Sequence, residues 1–228
     1  MKICLRFSAF AFTLAILISL LIIVPAYIWN ILTLWQIPFL VVSYFIFFLA
    51  TVWRRTKFGN LAKKSEDVQS KSLSGRLASI VAIVGLGGVH WLAIYDSHLC
   101  QGQGFSFISL VFTIVGISLI LSAIMVNQIA VITLGKFFDR LIIKEEHRLI
   151  TTGIYSHLRH PIYSSYLLLF TGYCILLHSL FSLVILAIVC SIWFGNRIML
   201  EEAMLTQEFG ESYQQYARQT KRLIPLIY

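Results

Sequence analysis

The chain has 228 residues, of which 58% are hydrophobic and only 12% charged, and its mean hydropathy is +0.83. That composition excludes an ordinary soluble globule and implies an all-α, polytopic membrane protein, a bundle of five to six transmembrane spans. The formal net charge of +8 would suit nucleic acid, but the basic residues are placed as they are beside a lipid bilayer, so no nucleic-acid partner is expected.

The predicted spans run, in chain order, over about 7–28, 36–53, 77–95, 105–126, 162–178 and 179–196. About 20 helical residues cross about 30 Å of hydrocarbon, so the first four are long enough and the last two are short. The first run follows a basic start, Lys2 and Arg6, as in a signal peptide. Its apolar stretch is too long for one and no small-x-small site follows, so a retained span is expected. Trp29, Trp35, Trp53 and Trp91 fall near span ends, where amphipathic rings favour the interface. Residues 54–76 read as a solvated basic loop on anionic head groups. Gly85, Gly87 and Gly88 lie inside an apolar span with no strand before them, so they suit close helix packing rather than a dinucleotide loop. The fourth run continues past 126 toward Gly135, a helix stop, and a loop over 136–161 follows. Pro161 suits the first turn of the fifth helix, where its missing N–H costs nothing and the free N–H groups favour an anion. Spans five and six share a hairpin at His178 and Ser179, and an amphipathic helix is expected over 201–220.

Residues 1–100 thus read as N-terminal helices and 101–228 as a core carrying the chemistry. With the N-terminus in the cytoplasm, the inner segments 1–6, 54–76, 127–161 and 197–228 hold all 18 Lys and Arg, and the outer loops hold only Asp96. This obeys the positive-inside rule and puts both termini on the cytoplasmic side, in the cell's inner membrane. Cys4, Cys100, Cys174 and Cys190 have neither metal-ligand nor redox spacing and read as small hydrophobes, so no metal is expected.

Polar groups gather where lipid would not select them. Arg159, His160 and Tyr163 open span five, and Arg197, Glu201 and Glu202 close span six. A hairpin with almost no loop makes these ends neighbours. Arg197 and Glu201, four apart, share a helix face. Each group alone has an ordinary reading: a surface ion pair, a helix cap, acidic residues opening a helix. Charges of both signs at one bilayer rim, where burial is costly, read together as a pocket.

The order HRL, GIY, RHPIY, hairpin, Arg197, EEAML, EFGESYQQY, RLIP strongly resembles the isoprenylcysteine carboxyl methyltransferase family over about residues 116–226. Phospholipid N-methyltransferases and methanethiol S-methyltransferases are wider relatives. The first 100 residues resemble the family only in being helical spans. The resemblance implies an integral membrane methyltransferase using S-adenosylmethionine without a Rossmann domain. It places cofactor contacts at His147, Arg148, Leu149, Ile150, Tyr155, His160, Pro161, Ile162, Tyr163 and Glu201, and one more, unnamed, within 128–144. It places Arg197 facing the substrate and Arg159 near the reacting centre, both catalytic and substrate-binding. Ser165 departs from the glycine of many relatives, whereas Gly172 stays small.

Methyl transfer from a sulfonium to an anion needs alignment and exclusion of water more than acid–base help. Glu201 can bind hydroxyl or ammonium groups. Arg159 and Arg197 can hold an acceptor carboxylate while its lipid tail stays between helices. For an amine or thiol acceptor, Glu202 is the nearest base. The expected partners are the bilayer and a lipophilic or small methyl acceptor. Two other classes compete. A nicotinamide-dependent reductase of the sterol type is similar in its C-terminal half but much longer. A transporter or scaffold would place polar groups nearer the midplane.

Overall fold

The computed structural model describes residues 2–58, 72–100, 106–135 and 149–223. Helix α1 (Lys2–Ile18) passes through a π turn (Ser19–Ile23) into α2 (Val24–Ile28). Then come α3 (Gln36–Phe58), α4 (Leu73–Leu99), α5 (Phe107–Leu134), α6 (Pro161–Leu176) and α7 (Leu180–Gln219). Five stretches are long and apolar enough to cross a membrane: Phe7–Ile28, Gln36–Arg54, Leu73–Leu99, Phe107–Leu134 and Leu180–Gln219. The protein is a multi-pass integral membrane helix bundle, with no strand among the described residues. At 16 residues, α6 is about 24 Å long, shorter than the hydrocarbon.

The π turn has a local cause. Val24 N–H donates to the Ser19 carbonyl, one residue further back than in an α-helix. In that register the Leu20 carbonyl would face Pro25, which has no N–H. The Trp91 indole N–H supplies the missing donor at 3.0 Å and ties α4 to the first span.

Packing fixes where α6 stands. It lies along α5 on one side and α7 on the other, while α4 runs along α7. The α5–α6 approach is backbone-close. A Cβ on Gly116 would fall 2.8 Å from the Leu176 nitrogen, and one on Gly172 would fall 2.8 Å from Ile120 Cγ1 and 2.9 Å from the Gly116 carbonyl. Such glycine contacts replace the missing hydrophobic drive between helices in lipid.

Several polar groups inside the bundle are paired across helices. His90 Nδ1 lies 2.7 Å from the Leu86 carbonyl, which can only accept, so Nε2 accepts from the Tyr44 hydroxyl at 2.6 Å. The Tyr173 hydroxyl donates to the His90 carbonyl at 3.2 Å, joining α3, α4 and α6 at one level. Asn127 donates to Ser165 at 3.1 Å across α5 and α6. At the other end of the hairpin, Ser179 donates to Asp96 and its oxygen accepts from Ser182 N–H, capping α7.

Helix α7 does not stop at the membrane rim. It continues through Glu201 and Glu202, and the surface helix expected over 201–220 is its extension, broken only at Gly210 with φ 51° and ψ −125°. The turns of α7 beyond Arg197 lie outside its apolar stretch, because 40 residues give about 60 Å of helix against about 30 Å of hydrocarbon.

Candidate active site

The site is built at a break in regular structure. A 3-10 turn (Gly153–Ser156) leads into an irregular stretch, His157–His160, with an isolated bridge from Leu158 to Lys221, before Pro161 starts α6. Backbone outside helices must find partners, and these come from the residues that follow α7. Arg159 N–H donates to the Lys221 carbonyl at 2.7 Å, His160 N–H to the Arg222 carbonyl at 3.0 Å, and Lys221 N–H to the His157 carbonyl at 3.1 Å. Ser164 adds a hydroxyl contact to the Leu223 carbonyl, and the Tyr216 hydroxyl donates to the Tyr155 carbonyl at 2.7 Å. Residues 216–223 thus strap the entrance of α6.

Two carboxylates organise the side chains. Glu202 is a hub. Arg159 Nε donates to its Oε1 at 3.0 Å, and Arg222 grips Oε2 from Nη2 at 2.8 Å and Nε at 3.1 Å. His160 Nε2 lies 3.2 Å from Oε1. Arg159 also donates from Nη1 to the Ala217 carbonyl at 2.6 Å and to the Thr220 carbonyl, closing the end of α7. Partial burial of Glu202 works to raise its pKa. The hydrogen bonds from His160, Arg222 and Arg159 outweigh it and hold the carboxyl at about 2.

Glu201 faces the mouth of the hairpin. The Tyr163 hydroxyl donates to its Oε2 at 2.7 Å, and Arg197 Nε donates to that hydroxyl at 2.7 Å. His160 Nδ1 lies 3.8 Å from the same carboxylate oxygen. The His160 and Tyr163 rings stack at 5.5 Å, and Tyr163 stacks on Phe194 at 5.4 Å. Tyr155 is buried beside this group. Its hydroxyl has no hydrogen-bond partner among the described residues. Burial first, then the Glu201 charge, push its pKa well above the ordinary phenol value.

The structure therefore brings Tyr155, Arg159, His160, Tyr163, Arg197, Glu201 and Glu202 into one connected cluster. Pro161 is buried at the first turn of α6. Ile162 accepts the Ser165 hydroxyl at its carbonyl, 2.6 Å away. Leu149 and Ile150 are half-buried at the start of the described stretch, and His147 and Arg148 lie outside the described residues. No group of three or more metal-ligating side chains occurs among the described residues. Sequence reasoning missed three participants. Arg222 stands 20 positions from its carboxylate partner, and Tyr213 and Tyr216 enter the sequence reading only within EFGESYQQY, with no role at the site. A further buried cation, Arg54, donates from Nε to the Gly135 carbonyl at 3.2 Å, tying α3 to the end of α5.

Residues 114–207 match the model of the isoprenylcysteine carboxyl methyltransferase family. A probable protein-S-isoprenylcysteine O-methyltransferase of Oryza sativa subsp. indica is 34% identical over 116 residues, covering 50% of this chain and 61% of its own. Protein-S-isoprenylcysteine O-methyltransferase B of Arabidopsis thaliana is 34% identical over 115 residues, 49% of this chain and 58% of its own. The Schizosaccharomyces pombe enzyme of that name is 35% identical over 101 residues, 43% of each chain. Each match thus spans less than two thirds of the relative's length. A solved structure of the eukaryotic intramembrane Ras methyltransferase ICMT aligns over 99% of this chain and 97% of its own, at 19% identity and a TM-score of 0.42. The family segment contains α6 and the whole polar mouth of the hairpin, and it ends before the strap.

Proposed function

We propose that this protein is an S-adenosylmethionine-dependent methyltransferase working at the cytoplasmic face of the membrane. Its acceptor in this reading is a lipophilic carboxylate of the isoprenylcysteine kind. The observation that carries the reading is the connected chain Arg197–Tyr163–Glu201–His160, bordered by the buried, unpartnered Tyr155 hydroxyl. A polar cluster with buried hydroxyls left over fits a ligand that is itself polar and multiply hydrogen-bonding. S-adenosylmethionine, when bound, supplies an activated methyl group on a sulfonium.

The chain's own residues have separate tasks in this reading. Glu201 accepts hydrogen bonds from hydroxyl or ammonium groups of the cofactor, and the first turn of α6 offers free N–H groups to a carboxylate. Tyr155 and His160 line the same space, and Leu149, Ile150, Pro161 and Ile162 contribute backbone and apolar contact. His147 and Arg148 are assigned to it through the resemblance alone. Arg197, held by the Tyr163 hydroxyl at the rim, orients the acceptor carboxylate. Arg159 spends its guanidinium on Glu202 and on the end of α7, so it acts as a positioning residue rather than a direct substrate contact. Glu202 is engaged by two guanidiniums and the His160 imidazole, which leaves it poorly suited to take a proton from an amine or thiol. That favours an acceptor already anionic over a phospholipid amine or a thiol. The positive-inside arrangement supports an inner-membrane protein with both termini in the cytoplasm.

The test is calorimetric titration of detergent-solubilised protein with S-adenosylmethionine, S-adenosylhomocysteine and NADPH, followed by methylation of farnesylcysteine analogues with labelled cofactor. Binding of the first two and labelling of the carboxylate are expected. Binding of NADPH alone would overturn the methyltransferase reading.

A further inference from the structure

His160 stands at the entrance of α6 between the two adjacent glutamates of α7. Its Nε2 lies 3.2 Å from Glu202 Oε1, and its Nδ1 lies 3.8 Å from Glu201 Oε2. The ring is fixed in that orientation: its side chain is 2% exposed, it stacks on Tyr163 at 5.5 Å, and its backbone N–H is bound to the Arg222 carbonyl. Glu202 receives Arg159 at 3.0 Å and Arg222 at 2.8 Å, so it is ionised and can only accept. The hydrogen on Nε2 follows, because a bare nitrogen there would set two acceptors against each other. In the neutral imidazole the other nitrogen is then bare. Nδ1 thus turns a lone pair toward Glu201, which is itself an acceptor. The distances agree. A separation of 3.8 Å is too long for a hydrogen bond, and Glu201 Oε2 accepts instead from the Tyr163 hydroxyl at 2.7 Å. Two acceptors therefore stand side by side, and one hydrogen-bond donor set against both would satisfy them. The Glu201 side chain is 27% exposed, so the pair is approached from its side. With the hydrogen on Nδ1 instead, the ring would turn a donor toward Glu201 and compete for that carboxylate.

We propose that Glu202 is a positioning residue for methyl-donor binding: it holds the His160 hydrogen on Nε2, so that Nδ1 and Glu201 together accept from a hydroxyl or ammonium of the methyl donor. This rests on the methyl-donor reading above. It gives the second glutamate a task other than proton removal. It also accounts for two carboxylates adjacent in sequence, since about 100° of helix turn sets one against each nitrogen of a single ring.

The experiment reads the His160 ring nitrogens by nitrogen magnetic resonance in the full chain in detergent, at about pH 8, above the ordinary histidine range. His160→Gln identifies the signals by their loss. In ligand-free wild type, Nε2 is expected to carry the hydrogen and Nδ1 to be bare. Arg222→Met loosens the strap but leaves Glu202 against Nε2, so it keeps that pattern. Glu202→Leu is made in the Arg222→Met background, so that one guanidinium leaves with the anion. There the hydrogen moves to Nδ1, where Glu201 accepts it. Calorimetry with S-adenosylhomocysteine then reads roughly ten-fold weaker binding in the double variant than in Arg222→Met alone, the size of one lost hydrogen bond to a charged group. A hydrogen on Nδ1 in wild type, alone or in a doubly protonated ring, overturns the proposal. So does a hydrogen that stays on Nε2 in the double variant, or equal affinity in the two variants. If the double variant does not fold, the wild-type spectrum decides by itself. Wild-type protein with a bare Nδ1 that does not bind S-adenosylhomocysteine removes the methyl-donor reading instead, a different failure.

Discussion

Glu202 and Arg222 form a test of how the strap is held. Glu202 is 15% exposed at the side chain, Arg159 10% and Arg222 38%. Removing the shared anion leaves Arg159 and Arg222 facing each other with no counter-charge. Breaking a buried pair in this way costs about 3–5 kcal/mol, and partial exposure of the hub places Glu202→Gln near the low end, about 3 kcal/mol. Arg222→Met leaves Glu202 with Arg159 and His160 still in contact, and Arg222 is wet enough to count nearly as a surface ion, so about 1 kcal/mol is expected. For a chain of this size each 1 kcal/mol moves the melting temperature by roughly 2–4 °C. Thermal denaturation in detergent therefore separates the two variants: about 6–12 °C lost against about 2–4 °C. Hydrogen exchange supplies the local readout. The Arg159 and His160 amides donate to the Lys221 and Arg222 carbonyls, so they exchange faster in both variants, more so in Glu202→Gln. If Arg222→Met proved the more damaging, or if Glu202→Gln melted within 2 °C of wild type, the hub would not be what fastens the strap.

Glu201→Ala and His160→Ala are expected to weaken S-adenosylhomocysteine binding about ten-fold or more, because each removes a polar wall of the pocket; calorimetry reads this directly. Arg197→Ala is expected to leave that binding within two-fold (about 0.4 kcal/mol) while cutting turnover on a carboxylate acceptor at least ten-fold. Equal turnover with and without the guanidinium would end its substrate role. Gly172→Val places branched carbon where even a Cβ would lie 2.8 Å from Ile120 Cγ1 and 2.9 Å from the Gly116 carbonyl, so a loss of about 1–3 kcal/mol is expected by thermal denaturation. Gly87→Ala, with nothing within 4 Å of the added carbon, is the control and should melt like wild type to within about 0.5 kcal/mol.

Much of the site was readable because its signals are local. Pro161 marks the start of α6 through its missing N–H, and Gly135 ends α5 with φ 52°, a conformation that side chains resist. The short hairpin at His178 and Ser179 brings Arg197 and Glu201 to the mouth that holds His160 and Tyr163. Other features left no local trace. The break in hydropathy at Glu201 and Glu202 suggests a helix boundary, but their propensities are good for helix and α7 runs straight on. The π turn depends on Pro25 meeting Trp91, 66 residues away, and neither residue announces it. The strap pairs His157–His160 with Lys221–Arg222 through backbone N–H and carbonyl groups, which all residues carry apart from the N–H that proline lacks, so no spacing or residue type could reveal it.

The strap also explains how polar side chains can stand so densely at a bilayer rim. Helix α6 begins at an irregular approach, His157–His160, which alone would leave its own N–H groups and the last carbonyls of α7 without partners. Each is met by the other: the Lys221 and Arg222 carbonyls serve the approach to α6, and Arg159 serves the Ala217 and Thr220 carbonyls. With the backbone satisfied in this reciprocal way, and with Glu202 absorbing the guanidiniums, Glu201 is left to Tyr163 and His160. The two adjacent glutamates, turned about 100° apart on one helix, thus divide the work. One fastens the chain's end to the pocket, and the other is held at its opening by Tyr163. Exchanging their roles is not open to the fold, because Glu201 cannot reach Arg222 without abandoning Tyr163 and Arg197.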